Sequence, residues 1–204
     1  MTAQSRASKK PRKRNYSLGR RAEQVAETRR RIVEAAMTLH GSVGPARTTF
    51  SMVAEQAGVQ RHTLYAHFPD EENLLLACSA HHLGIDPPPD PAAWASIADG
   101  HQRLSSGLGA IYAWYERNAD LIGGVLRDAE HHPATRAIVA KRIEPHVVCW
   151  LAAFGIDSSP RTRAAMLRLA VSFHTWRALA RDGGIGSAAA AELMARAFES
   201  TGED

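Results

Sequence analysis

Long apolar runs are missing from this chain. No stretch of about 18 apolar residues is present to span a bilayer, and the polar, basic N-terminus has no apolar segment of the secretory kind. No membrane partner is expected, and a cytoplasmic location is. Cysteine is scarce, with only Cys78 and Cys149 among 204 residues. The two lie far apart within apolar helical patterns, so buried free thiols in a reducing compartment are expected rather than a disulfide framework. Strand-like alternation is also lacking, as are a phosphate-binding loop, a nucleophile motif and a Ser/His/Asp order. The expectation is therefore an all-α protein that is not an enzyme and needs no cofactor.

Ten histidines raise the question of a metal. Adjacent residues of a helix point about 100° apart, so His81-His82 and His131-His132 cannot easily chelate one ion as pairs. Neither a His-x3-His nor a Cys-x2-Cys set occurs, and no metal site is expected.

What is present is a polarised charge. Residues 1–70 hold 13 Lys/Arg against 5 Asp/Glu, a net +8, whereas residues 71–204 hold 12 against 16, a net −4. One end is built to meet a polyanion and the other repels it. Residues 1–24 are poor in apolar residues and cannot bury enough surface to order themselves. They are read as a flexible basic arm whose Lys9, Lys10, Arg12, Lys13, Arg14, Arg20 and Arg21 add counterion-release affinity for DNA or reach into a minor groove.

Helical periodicity runs through the remainder, predicting about nine helices. The first spans about 23–40, with Val25, Ile32, Val33, Ala36 and Leu39 on its apolar stripe. Two short helices follow, at 49–57 and 60–66, with Thr49 as N-cap and Gly58 in the left-handed conformation between them. Pro69-Asp70 opens a fourth, to about Gly84. Ile85-Asp86-Pro87-Pro88-Pro89-Asp90-Pro91 cannot be helical and marks a linker or domain edge. Further helices are expected at about 92–117, 119–130, 133–154 with a kink at Pro145, from Pro160 to the Gly183-Gly184 break, and 187–200.

The segment 49–68 carries the function. Val53, Ala54, Ala57, Val59, Leu64 and Phe68 are apolar where two short helices must pack on the first. The third helix is left with Gln60, Arg61, His62, Thr63 and Tyr65 facing outward. Arg suits guanine and Gln suits adenine, while Tyr65, His67 and the hydroxyls of Thr48 and Thr49 suit phosphates that set register. A second helix across the backbone and a third in the major groove is the docking geometry of a helix-turn-helix.

At these residues the chain resembles the TetR family of bacterial transcriptional regulators. The pattern is Thr49, Val53-Ala54, Ala57-Gly58-Val59, Thr63-Leu64-Tyr65, His67-Phe68 and Leu74, preceded by Ile32-Val33-Glu34-Ala35-Ala36. The resemblance covers roughly residues 28–76. It implies an N-terminal three-helix DNA-binding domain, here 25–70, and a helical domain over 71–204 that dimerises through its last two long helices and holds an inducer pocket. Three positions depart from the family's habit. Gln60 stands where a capping Ser or Thr is usual, His62 where a small residue is common, and Glu71, followed by Glu72, where a Lys is frequent. That phosphate contact is expected to be absent, with the arm substituting for it.

For the pocket, His101, Tyr115, His146, Trp150 and Phe173 are the candidates, since aromatic and imidazole groups recur among otherwise apolar helix faces. Arg161, Arg163, Arg168, Met166, Leu169 and Phe173, with Leu193, Met194, Ala197 and Phe198, are expected to supply a homodimer interface. A two-fold dimer would read a palindromic operator in double-stranded DNA. The acidic residues of the C-terminal part read as solvated helix faces. The function expected is a dimeric repressor released from its operator by an unidentified small-molecule inducer. The alternative is a sequence-tolerant DNA-architectural protein without an inducer.

Overall fold

The computed structural model describes residues 13–202, and their regular structure is entirely helical. Helix α1 (Lys13–Ser42) starts well before the apolar stripe that announces it. The flexible arm expected over 1–24 is therefore corrected for residues 13–24, which form its first turns. Lys9, Lys10 and Arg12 lie outside the described residues. Burial on α1 begins only at Ile32, Val33, Ala35 and Ala36. The polar part is helical because elongating an already packed helix avoids the nucleation cost, and Arg, Ala, Glu and Gln are good helix formers.

Helix α2 (Phe50–Ala57) is capped by Thr49, whose hydroxyl oxygen accepts from the Met52 N–H at 3.3 Å. It ends at Gly58, with φ 62° and ψ 41°, the left-handed conformation the tight turn requires. Helix α3 (Arg61–His67) follows, and Gln60 gives it no side-chain cap. Helix α4 (Glu71–Ile85) is capped by Asp70, which accepts from the Asn73 N–H at 2.8 Å. Ile32, Val33, Ala36, Val53, Ala54, Leu64, Phe68, Leu74 and Cys78 form one core that packs these four helices together.

The second half comprises α5 (Ala92–Ala95), α6 (Gly100–Arg117), α7 (Ala119–Ala129), α8 (Pro133–Arg142), α9 (Glu144–Ala153), α10 (Arg161–Ala170), α11 (Phe173–Trp176) and α12 (Ser187–Glu199). Three of the expected helices are each broken in two, which raises the count from about nine to twelve α-helical segments among the described residues. Asp99 caps α6 through the Gln102 N–H at 2.7 Å and so separates it from α5. Pro145, lacking an N–H, starts α9 afresh where a kink was expected. The break after α10 has a tertiary cause. The hydroxyls of Tyr112 and Tyr115 donate to the carbonyls of Ala170 and Val171, each at 2.7 Å, and Ser172 caps α11. Those carbonyls are the ones a continuing helix would have used. A π-helical turn, Arg177–Asp182, carries the chain on from α11.

Helix α12 lies along α6, and a second core gathers Trp94, Leu108, Ile111, Tyr115, Trp150, Phe173, Trp176 and Phe198 between them and their neighbours. The Pro-rich segment after α4 is pinned rather than loose. The indole N–H groups of Trp114 and Trp150 donate to the carbonyls of Asp86 and Pro89 at 3.1 and 2.9 Å, and Arg117 and Asn118 hold the Asp86 carboxylate. Two further expectations change. Phe173, Met194 and Phe198 are buried within the protomer, leaving Leu169 and Leu193 exposed on the proposed dimer face. Of the two free thiols Cys78 is buried, but Cys149 is exposed.

Gly107 on α6 shows how tightly this core is packed, since a Cβ there would lie 2.5 Å from two ring carbons of Phe154 and 2.9 Å from Trp94. Gly107→Ala should destabilise the protein by about 1–3 kcal/mol in urea unfolding. Gly109→Ala, two residues on with nothing within 4 Å, should be neutral or stabilising through helix propensity. Equal effects of the two would disprove the overpacking account.

Candidate nucleic-acid interface and the cavity beneath it

The outward face of α3 is polar and open. Gln60, Arg61, His62 and Tyr65 are exposed, and Thr63 and His67 are half-buried. The ring of Tyr65 rests on Phe50 with centroids 5.1 Å apart, which fixes the direction of its hydroxyl from α3. The His62 ring and the Thr63 hydroxyl meet at 3.4 Å. Thr49 is exposed as the N-cap of α2. The Thr48 hydroxyl donates to the Gly44 carbonyl at 2.8 Å and so secures the loop before α2. Arg20 and Arg21 are exposed on α1, and Lys13 and Arg14 lie in its first turn.

Behind that face, α1 holds the turn from within. The Arg31 guanidinium donates to the carbonyls of Ala57 and Gly58, the latter at 3.2 Å. A cation on the last carbonyls of α2 satisfies groups that a helix C-terminus leaves bare. Arg29 stacks over the Phe68 ring at 4.7 Å, closing α3 against the same helix.

Glu71 and Glu72 point the other way. The Glu72 carboxylate pairs with Lys141, and Glu71 approaches His132 Nε2 at 3.5 Å, so both are engaged by α8. Acidic residues at the start of α4 thus join the two halves of the chain. A second junction lies at the loop between α1 and α2. Asp128 on α7, read from sequence as one more solvated acid, is only 2% exposed. It accepts from the Ala46 N–H at 2.9 Å and pairs with Arg127 at 2.8 Å. Burial alone would raise its pKa, but these donors outweigh that and hold the carboxylate below its usual range. Gly44, at φ 92°, brings the loop so close that a Cβ would sit 2.5 Å from both Arg127 and Asp128.

Between these junctions lies a cavity of about 370 Å³, walled by α1, α4, α6, α7, α8, α9 and the corner between α10 and α11. The candidates from sequence divide here. Tyr115 and Phe173 line it, whereas His101, His146 and Trp150 do not. His101 sits 3.1 Å from Glu199 and 3.4 Å from Glu192 on the far side of α6. Trp150 is committed to Pro89, and His146 is half-buried outside the lining. The residues missed are His40, Cys78 and His82, together with Asp128. Their spacing marked α1, α4 and α7 as helices, but it could not show that three helix ends converge. Burial drives the His40 pKa down to about 4 and pushes the Cys78 thiol up to about 12. Among the described residues no group of three His, Cys, Asp or Glu side chains forms a metal-ligand set, and no helix is long and apolar enough to cross a membrane.

Residues 32–78 match the family of bacterial regulatory proteins, tetR family. Over these residues the helix-turn-helix is similar to that family. The HTH-type transcriptional regulator TtgR of Pseudomonas putida is 43% identical over 58 residues, which cover 28% of each chain. SrpR of Pseudomonas putida, also an HTH-type transcriptional regulator, is 36% identical over 72 residues, 34% of each chain. The chain thus spans only about a third of the length of these relatives, or less. Over the whole fold it resembles a putative TetR-family transcriptional regulator of Mesorhizobium loti, with a TM-score of 0.60 and 19% identity, covering 87% of this chain and 97% of the other. A putative transcriptional regulator of Saccharomonospora viridis in complex with choline gives 0.56 and 17%, covering 85% and 96%. At these identities the two likenesses show the fold alone.

The buried imidazole makes the junction sensitive to acid. The unfolded chain binds a proton on His40 near 6.5, whereas the folded chain resists until about 4. The unfolded state therefore binds more protons within that window, and stability falls as pH falls through it, by up to about 3 kcal/mol from this group. His82, shifted down by burial, acts in the same direction. Urea midpoints measured between pH 7 and pH 4.5 should fall for the parent chain and fall less for His40→Leu. An unchanged slope in the variant would exclude His40 as a source.

Proposed function

We propose that this protein is a DNA-binding transcriptional regulator, a homodimer that represses from a palindromic operator and is released by a small molecule. The observation that carries the proposal is the cavity's position. Met37, His40 and Pro45, on α1 and the loop after it, and Leu75, Cys78 and His82, on α4, form part of its wall. The same elements hold α2 and α3 in place. A guest between the halves acts on the spacing of the recognition helices, and it shifts the population by as much as it prefers the released arrangement.

Further support comes from the exposed polar face of α3, the charge polarity of the chain and the regulator names of the relatives. Leu169 and Leu193, exposed on α10 and α12, suit a two-fold contact. Such a contact sets two copies of α3 about one turn of DNA apart. Arg61, Gln60 and His62 are assigned to bases, and Tyr65, Thr49 and His67 to phosphates. The Lys9–Arg21 region is assigned to the flanking backbone.

Selection from random DNA followed by fluorescence anisotropy tests this. A palindrome should emerge and bind more tightly than its scrambled form at physiological salt. Equal affinity for the two would favour the architectural alternative. Within the selected site, Arg61→Ala should lose about 1–3 kcal/mol of discrimination at one base step, and Tyr65→Phe should weaken all sequences by a similar factor. Sequence preference untouched by Arg61→Ala would remove α3 from base readout.

A further inference from the structure

Residues 161–182 form a helix interrupted at a single residue. Val171, just after α10, still lies in the helical region at φ −80° and ψ −1°, and the chain is helical again from Phe173 through the π turn. Only Ser172 departs, with φ −71° and ψ 134°. Rotating that one ψ to the helical value of about −42° would join α10 to α11. Three contacts hold the bent form. Tyr112 and Tyr115 on α6 donate their hydroxyls to the carbonyls of Ala170 and Val171, each at 2.7 Å, and the Ser172 hydroxyl accepts from the His174 N–H at 3.2 Å. In a continuous α-helix the same two carbonyls would accept from the N–H groups of His174 and Thr175. Both carbonyls are therefore satisfied in either form, and neither form leaves them bare.

The sequence suits the straight form as well. Met166, Leu169, Phe173 and Trp176 keep helical spacing across the break, as one apolar stripe would. Yet Phe173 and Trp176 are buried while Leu169 is 51% exposed, so the bend divides the stripe. Its position joins two surfaces, because Tyr115, Val171, Ser172 and Phe173 line the cavity and Leu169 lies on the outer face of α10. We infer that Ser172 is a two-state hinge. It is bent while Tyr112 and Tyr115 hold the two carbonyls, and straight when they release them and α10 and α11 join. Straightening swings α10 against α11 and carries Leu169 with it, so a change in the cavity wall reaches the α10 face. The π turn and the Gly183-Gly184 pair after it, with Gly184 at φ 70°, take up the rotation before α12. Turns of that kind within helices recur at functional places. The hinge stands on these contacts, and only its effect on dimerisation rests on the function proposed above.

Amide-resolved hydrogen exchange, read by NMR on the full chain at neutral pH, tests the hinge. Tyr112→Phe combined with Tyr115→Phe keeps both rings in the core and removes both hydroxyls, whereas Ser172→Ala removes the cap of α11. Each change should slow exchange of the His174 and Thr175 amides roughly tenfold, as they bond to the carbonyls of Ala170 and Val171. Ser172→Asn restores a capping acceptor and should return both amides to the parent rate. Ser172→Ala decides alone if the double tyrosine variant loses its cooperative unfolding. Exchange at these amides that is unchanged or faster in either folded variant would overturn the inference. Sedimentation equilibrium reads dimerisation separately. Slowed exchange with an unchanged dimer constant would leave the hinge standing and count against α10 as the dimer face.

Discussion

The buried Asp128 carboxylate is the constraint from which the geometry of the two halves follows. A charge only 2% exposed is tolerable when donors replace its hydration, and losing one donor leaves a heavy desolvation cost. Here the donors are the Ala46 N–H, in the loop that leads into α2, and Arg127 beside it on α7. The loop reaches the carboxylate because Gly44 adopts a positive φ and carries no Cβ. The end of α1 and the approach to the helix-turn-helix are thereby set against α7. His40 and Pro45, on either side of that loop, become cavity wall as a result. The contact is a discrete one, made or unmade, unlike an apolar surface that slides by degrees. Discrete contacts of this kind are what allow a small displacement in a cavity to become a change of state.

The second junction reinforces the first from the other side of the cavity. Glu71 and Glu72 begin α4 shortly after α3, and Lys141 on α8 and His132 just before it meet them. Exposed ion pairs contribute little to stability. Their consequence here is positional, because α4 is held at its N-terminus by α8 and at its C-terminus by Asp86, pinned through Arg117, Asn118 and Trp114.

The helix-turn-helix was legible in the sequence because its signals are local. Thr49 as cap, Ala54 and Ala57 as close contacts, Gly58 as turn and Leu64 as plug all lie within sixteen residues, and each has one strong physical reason. The extent of α1 was not legible, because residues 19–31 are almost all exposed, Val25 of the expected stripe included, and bury no apolar face. Its polar turns are supported instead by pairs such as Arg30 with Glu27, at 2.7 Å. The break at Val171 was hidden for a different reason. Met166, Leu169, Phe173 and Trp176 keep helical spacing across it, and only two tyrosines more than fifty residues away decide that the helix stops. For the cavity, aromatic and histidine content directed attention to α6, α9 and α11, which recovered Tyr115 and Phe173. Most of the remaining wall is made by α1, α4, α7 and α8, where the sequence offered no pocket candidate.

That division of labour explains the departure at Glu71. A lysine there would serve a phosphate, and the same position would then belong to the DNA interface alone. A glutamate facing α8 gives the start of α4 to the cavity side, and it also removes a cation from the DNA side. On the function proposed above, affinity for the backbone is assigned to α1 and the basic residues before it, through charges whose effect is long-range and tolerant of small displacements. The specific contact proposed for α3 is short-range and intolerant of them. Movement of α4 would consequently alter which sequence is held more than whether DNA is held at all.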